Sequence, residues 1–296
     1  MKNDKQIWIV GCGDIGRRVA RLYKSGDKTV HGIVSSQESV IKCEKLSITT
    51  ETIDLDANYG LENNYVLDSD RFADADVYYF VPPPSVGAKD TRLKRFLAQL
   101  SEQPPRRIVI ISTTGVYGDS GGEWIDETAP IKPQADRAVR RVSAEQILQR
   151  WAENTHCEIQ ILRVPGIYAE DRLPLARLEK GLAVVTADEA GFTNRIHADD
   201  LARACKAAME CESSNHIINV TDGNPSSMTD YFNHVADYAK LPRPPQISLQ
   251  EAEQDLSAGM VSYLKESRRI KNDKMLKVLG IELLYPNLKT SLKIKN

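Results

Sequence analysis

The sequence predicts an α/β protein with a Rossmann-type doubly wound parallel sheet and a smaller C-terminal substrate lobe. Short apolar runs of strand length alternate with amphipathic stretches of helix length, and a glycine-rich turn follows directly on the first apolar run. Continuous apolar strands separated by helices indicate a parallel sheet that is covered on both faces. Right-handed crossovers between such strands make the sheet doubly wound.

The predicted elements follow in chain order. Strands are predicted at residues 7–10, 30–34, within 48–55, and at 77–81, 108–111, 159–162 and 217–220. Helices are predicted at residues 15–22, 93–100, 138–152, 199–209 and 229–240. Residues 165–174 have the composition of a loop, and the proline-rich residues 241–245 that of a linker.

The chain is long enough for a large core divided between two units. We expect residues 1–165 to form an NAD(P)-binding Rossmann domain, with a strand near residues 216–221 completing its sheet. Residues 166–296 are expected to form most of the smaller substrate-binding lobe. Doubly wound folds bind ligands at the carboxyl edge of the sheet, and this is where the lobe should lie.

Composition excludes several classes of partner. With a formal net charge of −2, the chain has no global field that attracts nucleic acid or anionic membrane. No apolar run approaches the ~18–20 residues that cross a bilayer. Five scattered cysteines without a CxxC pair argue against a disulfide framework and a zinc site. We therefore expect a cytoplasmic protein with reduced thiols and no bound metal.

The glycine-rich turn has the sequence GCGDIG at residues 11–16. Gly11 permits the tight turn, Gly13 lets the backbone approach a pyrophosphate, and Gly16 lets the helix pack against the strand. Backbone N–H groups of Asp14 and Ile15 at the helix N-terminus then meet the phosphates. Because the motif lies between a predicted strand and a predicted helix, it indicates an adenine dinucleotide, NAD(H) or NADP(H).

The end of the second strand bears on the choice of cofactor. A carboxylate there normally accepts the ribose hydroxyls of NAD, but this chain has Ser35 and Ser36. Arg17 and Arg18 follow the glycine turn and either contact a 2′-phosphate or lie on the solvated helix face. The first interpretation favours NADP(H) over NAD(H).

Several different sequence motifs follow one another along the chain. They are STTGVYG at 112–118, Glu127, Pro130 and Pro133, EQIL at 145–148, LRVPGIY at 162–168 and NRIHADDLA at 194–202. In this order they resemble the extended short-chain dehydrogenase/reductase superfamily, in its NAD-dependent epimerase/dehydratase group. The resemblance extends from residue 7 to about residue 222.

The resemblance implies roles for individual residues. Thr113 matches the family's catalytic Ser/Thr, which hydrogen-bonds the substrate oxygen. Further cofactor contacts are implied for Asp54 and Leu55 with Asp56 at the adenine, for Val81 and Pro82 at the nicotinamide ribose, and for Pro165 near the carboxamide. Substrate contacts are expected from Thr114, Tyr117, Arg195 and His197. In the structural alternative, Thr113 is an ordinary residue at a strand end, His197 bonds the backbone at a helix entry, and Tyr117 is packed.

The chain departs from the family at its acid–base pair, a Tyr followed four residues later by a Lys on one helix face. Alignment on Glu145 places Arg137 and Arg141 at these positions. Arg141 still presents a cation and donors to ribose hydroxyls. The guanidinium of Arg137 stays protonated and cannot exchange protons, although it can face an anionic substrate. We therefore predict an atypical member with Thr113, Arg137 and Arg141 as its catalytic set.

Two functions from different classes follow. The first is an NAD(P)-dependent, epimerase/dehydratase-like oxidoreductase acting on a small polar substrate such as a sugar nucleotide, as a monomer or homodimer. The second is a non-catalytic NADP(H)-binding sensor or regulatory protein. A dehydrogenase of another Rossmann group is disfavoured by the ordered motifs. An open cleft lined by Thr113 and Arg137 would support the enzyme, and a cleft plugged by residues 118–133 would support the sensor.

Overall fold

The computed structural model describes residues 6–24, 28–56, 68–100, 102–255, 261 and 264–293. The strands are β1 Ile7–Val10, β2 Val30–Val34, β3 Thr49–Thr52, β4 Asp76–Tyr79, β5 Arg107–Thr113, β6 Trp124–Ile125, β7 Glu158–Val164, β8 Gly166–Tyr168, β9 Val184–Val185, β10 Phe192–Thr193, β11 Arg195–His197, β12 His216–Asn219, β13 Ser226–Ser227, β14 Gln246–Ile247 and β15 Arg269–Ile270. The helices are α1 Asp14–Tyr23, α2 Gln37–Glu44, α3 Thr91–Gln99, α4 Asp136–Thr155, α5 Leu175–Glu179, α6 Ala198–Glu210, α7 Met228–Ala239, α8 Leu249–Asp255, α9 Asp273–Leu279 and α10 Leu288–Ser291. Short 3-10 helices lie at Ser69–Phe72, Thr114–Tyr117 and Glu170–Arg172.

The central sheet has seven strands in the order β12-β7-β5-β4-β1-β2-β3, and all its pairings are parallel. Side chains of β1 alternate between two cores: Ile7 and Ile9 pack with α1 and α6, whereas Trp8 and Val10 pack with α3 and α4. The apolar run of β1 is therefore buried on both faces. The predicted doubly wound α/β fold is confirmed.

The long helix α4 begins at Asp136, two residues before the predicted start, so it includes both Arg137 and Arg141. Helix α2 was not predicted. It has eight residues, one of them buried, and its N-cap Ser36 accepts a hydrogen bond from the Ser39 N–H at 3.3 Å. Such a short, mostly exposed helix has little amphipathic signal.

Residues 165–174 were predicted as a loop but contain β8 and a 3-10 helix. Strand β8 pairs with β11 in parallel, Gly166 opposite Arg195. This pairing joins segments distant in sequence, so a local pattern does not indicate it.

A smaller apolar cluster lies between α5, α7 and β9, with Leu178, Val184, Phe232 and Val235 among its buried members. Strand β12 lies at the edge of the central sheet beside β7. Helix α9 returns to the core that contains α1 and α6, so the chain after residue 165 contributes to both units. The division at that residue remains a prediction. Among the described helices, none combines the length and the apolar character required to cross a membrane.

Candidate active site

The glycine turn lies at the carboxyl ends of β1, β2 and β4. The N–H groups of Gly11 and Cys12 both donate to the carbonyl oxygen of Ile33, at 2.9 and 3.0 Å. Gly11 has φ +84°, and a Cβ there would lie 2.7 Å from the Val81 nitrogen. Both the backbone conformation and the close approach therefore require glycine at this position.

The N-terminus of α1 has no side-chain cap. Space around Gly13 is open, since a Cβ there would meet only the Gly11 carbonyl oxygen at 3.9 Å. The Asp14 side chain bonds Arg18 at 3.1 Å and also bonds Arg172. Although burial opposes it, pairing with Arg172 and Arg18 lowers the pKa of Asp14. The helix N-terminus thus keeps its backbone donors for an anion, which fits a dinucleotide phosphate.

An open cleft of ≈ 1010 Å³ adjoins this turn. The predicted cofactor residues that line it are Gly11, Gly13, Ser35, Asp54, Leu55, Val81 and Pro82. Sequence reasoning missed Arg92, whose Nη1 donates to the Pro82 carbonyl oxygen at 2.9 Å and whose Nε donates to Asp56 at 2.8 Å. An arginine in the first turn of an amphipathic helix carries no signal that distinguishes it from a solvated residue.

Arg18 does not face this cleft. Its guanidinium bonds Asp14 at 3.1 Å, Asp199 at 2.6 Å and Asp171 at 2.5 Å. Burial opposes the protonated form, but these carboxylates raise the pKa of Arg18. Arg17 donates to the Cys12 carbonyl oxygen at 3.5 Å. Neither arginine lines the cleft, and Arg18 instead joins α1 to the start of α6.

A second cleft of ≈ 550 Å³ contains the predicted reaction centre. Thr113, Thr114, Arg137 and Pro165 line it together with Glu266 and Arg268. Thr113 ends β5, and its Oγ1 accepts a hydrogen bond from the Gly115 N–H at 3.1 Å. No residue of the described 118–133 segment lines the cleft. The structure therefore brings Thr113 and Arg137 together in an open cleft.

Arg141 lies one helical turn beyond Arg137 and is partly buried. Its guanidinium makes no hydrogen bond to any residue in the described ranges. Burial lowers the pKa of Arg141, and the neighbouring Asp90 and Tyr79 oppose this effect. Asp90 Oδ2 and the Tyr79 hydroxyl are themselves buried without a hydrogen-bond partner among the described residues. Tyr79 at the end of β4, Asp90 at the N-cap of α3 and Arg141 in the second turn of α4 thus interact electrostatically.

Tyr117, predicted to contact substrate, lies outside the second cleft. Its hydroxyl donates to Asn219 Oδ1 at 2.8 Å and accepts from Arg163 Nη1 at 3.0 Å. Burial raises the pKa of Tyr117. The hydroxyl is fully occupied beneath the sheet edge, as the structural alternative expected.

Arg195 and His197 also lie outside that cleft. Arg195 donates to Ser226 Oγ and to Thr193 Oγ1, each at 2.8 Å. His197 caps α6 by accepting the Asp199 N–H on Nδ1 at 3.2 Å, and its ring lies 3.8 Å from that of Tyr285. Burial lowers the pKa of His197, so the ring stays neutral. Of the four predicted substrate contacts, the cleft contains only Thr114, because the other side chains are used to join elements of the fold.

Two cleft residues were missed because the sequence ESRR at 266–269 has the composition of an exposed charged turn. Arg268 Nη1 donates to the Gly118 carbonyl oxygen at 2.6 Å and to Glu266 Oε2 at 2.7 Å. The side chains of Arg268 and Glu266 are only 9% and 3% exposed. The parallel pairing of β15 with β6 brings them to the cleft.

Comparison with known proteins adds independent evidence. A family model described as the NAD dependent epimerase/dehydratase family matches residues 86–221. The 3-diazoavenalumate denitrifying reductase of a Streptomyces species is 28% identical over 225 residues, which are 71% of this chain and 73% of that protein.

Two solved structures share the fold over almost their whole length. A conserved protein of unknown function from Silicibacter pomeroyi is 26% identical with a TM-score of 0.81, covering 98% of this chain and 97% of its own. UDP-glucuronic acid 4-epimerase from Bacillus cereus, solved with NAD, is 17% identical with a TM-score of 0.76 and the same coverage. These matches confirm the resemblance inferred from the ordered motifs: the chain is similar to the NAD dependent epimerase/dehydratase family over residues 86–221 and shares its fold with the solved structures.

Proposed function

We propose that this protein binds a nicotinamide dinucleotide at the glycine turn and reduces a small-molecule substrate in the cleft of Thr113 and Arg137. The observation that carries this proposal is that both residues line one open cleft, which residues 118–133 leave unobstructed. Val81 follows β4 and Thr113 ends β5, and these strands are parallel neighbours. Their carboxyl ends therefore meet at the same edge of the sheet.

The residues present fit the cofactor. The close approach of Gly11 to Val81 and the uncapped start of α1 suit a pyrophosphate. Arg141 would donate to ribose hydroxyls, since its guanidinium has no hydrogen bond within the described chain. A bound nicotinamide supplies or accepts a hydride.

Thr113 and Arg137 have different roles towards the substrate. The Thr113 Oγ1 accepts the Gly115 N–H, so its own hydrogen is available to a substrate oxygen. Arg137 stabilises negative charge on the substrate but exchanges no proton. The proton that accompanies reduction therefore comes from water in the open cleft.

Reduction is favoured over epimerisation by the same residues. An epimerase must remove and return a hydroxyl proton. In the family this proton is transferred by the tyrosine whose position Arg137 occupies here. The Streptomyces relative is a reductase, whereas the Bacillus cereus neighbour is an epimerase acting on a UDP-sugar. We therefore propose a reductase, with NADP(H) as the preferred cofactor because Ser35 replaces the usual carboxylate.

The test measures NADPH binding by fluorescence and NADPH oxidation by absorbance across a panel of carbonyl and diazo compounds. For a substrate so found, Thr113→Val and Arg137→Ala should each lower kcat/KM about 100-fold with an unchanged Kd for NADPH. Arg140→Ala is the matched control, because Arg140 donates to the Gly87 carbonyl oxygen at 3.0 Å. Tight NADPH binding without oxidation by any compound would replace the reductase with the regulatory function.

A further inference from the structure

The cleft of Thr113 and Arg137 adjoins an apolar cavity in the smaller lobe. This cavity, whose ≈ 790 Å³ includes space open to solvent, shares Thr193 and Glu266 with the cleft. Most of its remaining wall is aliphatic or aromatic and includes Val184, Val185, Ala190, Met228, Phe232 and Ile247. A molecule whose reacting group lies at Thr113 can therefore place its other end among apolar side chains.

Glu266 lies at the junction of the two spaces and has an unused acceptor. Its Oε2 accepts from Arg268, but its buried Oε1 has no hydrogen-bond partner among the described residues. A buried carboxylate oxygen without a donor is unfavourable. The segment that contains Glu266 is held in place by Asn194. The Asn194 Nδ2 donates to the Arg268 carbonyl oxygen at 3.0 Å, and its Oδ1 accepts the Ile270 N–H at 2.9 Å. The carboxylate is thus fixed in place to receive a donor from a ligand.

Among the described residues that line this cavity, Arg177 is the one cation, and its guanidinium already has partners. Arg177 Nη2 donates to the Ala183 carbonyl oxygen at 2.7 Å, and its guanidinium lies 5.3 Å from the centre of the Phe232 ring. Phosphate groups placed in this cavity would lose their hydration against an apolar wall, because Arg177 is engaged and Arg268 is paired with Glu266. The cavity is therefore unsuited to a nucleotide.

We propose that the substrate has a compact apolar body, which fills this cavity, and a hydroxyl or amine that donates to Glu266 Oε1. The proposal rests on the reductase function and names its substrate class. It replaces the sugar nucleotide considered from the sequence.

Binding of four probes to the NADP⁺-saturated protein, measured by calorimetry, tests the proposal. Phenyllactate has a ring and a hydroxyl, lactate lacks the ring, hydrocinnamate lacks the hydroxyl, and UDP-glucose is a sugar nucleotide. Phenyllactate should bind at least about tenfold more tightly than each of the others. Tighter binding of UDP-glucose, or binding of none of the four, would overturn the proposal.

Substitutions at Ala190 and Glu266 test whether phenyllactate binds in this cavity. Ala190→Phe fills the cavity and should weaken phenyllactate at least about tenfold, whereas Ala187→Phe, three residues earlier at an exposed position, should leave it unchanged. Glu266→Gln should abolish the preference for phenyllactate over hydrocinnamate. If this preference survived in Glu266→Gln with NADPH binding intact, the role of Glu266 would be wrong. Phenyllactate binding together with no oxidation of NADPH by any compound of the panel would instead retain this site and refute the reductase.

Discussion

Glu145 on α4 and Arg163 on β7 form a buried ion pair with two hydrogen bonds, Nε to Oε1 at 3.1 Å and Nη2 to Oε2 at 2.7 Å. Their side chains are 5% and 4% exposed. Ser112 Oγ donates to the same Glu145 Oε1 at 2.5 Å. The pair therefore ties α4, which carries Arg137 and Arg141, to two neighbouring strands of the sheet.

Arg163→Ala should lower the free energy of unfolding by about 3–5 kcal/mol, because it leaves the Glu145 carboxylate buried without its cation. Urea denaturation measures this loss. The double variant Glu145→Leu with Arg163→Met should recover much of it, since it removes both charges and keeps the volume. A loss below about 1 kcal/mol in Arg163→Ala would show that the pair does not hold the helix.

Arg141→Ala should raise the Kd for NADPH at least about tenfold, because it removes donors to the ribose from a site where no described residue competes for them. Arg141→Lys should keep part of the affinity, since the charge remains. Arg140→Ala controls for loss of charge on the same helix. Equal Kd values for Arg141→Ala and Arg140→Ala would remove Arg141 from the cofactor site.

Gly13→Ala should separate cofactor binding from folding. A Cβ at Gly13 meets nothing closer than 3.9 Å, so the melting temperature should change little. The added methyl group would occupy the approach to the pyrophosphate and weaken NADPH at least about tenfold. Gly11→Ala is the contrasting variant, because its Cβ would lie 2.7 Å from the Val81 nitrogen and should destabilise the fold. Unchanged NADPH affinity in Gly13→Ala would contradict the proposed phosphate site.

Ser35→Asp should shift the cofactor preference towards NADH. Ser35 is exposed at the end of β2 and lines the cleft beside the glycine turn. A carboxylate there accepts ribose hydroxyls and repels a 2′-phosphate. The ratio of the Kd values for NADPH and NADH in wild type and variant measures the change. A wild-type protein that already prefers NADH would refute the proposed preference.

Asp222 should make stability depend on pH. Burial, reinforced by repulsion from Asp200, raises the pKa of Asp222 from 3.8 to about 7. Between these values the folded protein holds a proton that the unfolded chain has lost, so stability falls as the pH rises from about 4 to 7 and is constant above. Asp222→Asn should lack this loss, which is about 4 kcal/mol. Parallel stability curves for wild type and variant, from urea denaturation across this range, would refute the shift.

The sequence indicated the sheet, the glycine turn and the cleft threonine because each depends on residues adjacent in the chain. The run at 7–10 is apolar because both faces of β1 are covered. Gly11, Gly13 and Gly16 lie in one loop and the first turn of α1, so their spacing is a local feature of the sequence. Thr113 ends β5, so the prediction of that strand also placed this residue at the carboxyl edge of the sheet.

The directions of the charged side chains were decided by tertiary structure alone. Arg18 meets Asp199, 181 positions away, and Arg268 meets the Gly118 carbonyl oxygen across 150 positions. Arg195 and His197 belong to a recognisable motif, yet they join strands and cap a helix outside the cleft. By itself the sequence determined the fold and the position of the glycine turn. Which charges face the cleft was settled only by packing, since a long polar side chain takes its direction from partners that are distant in the chain.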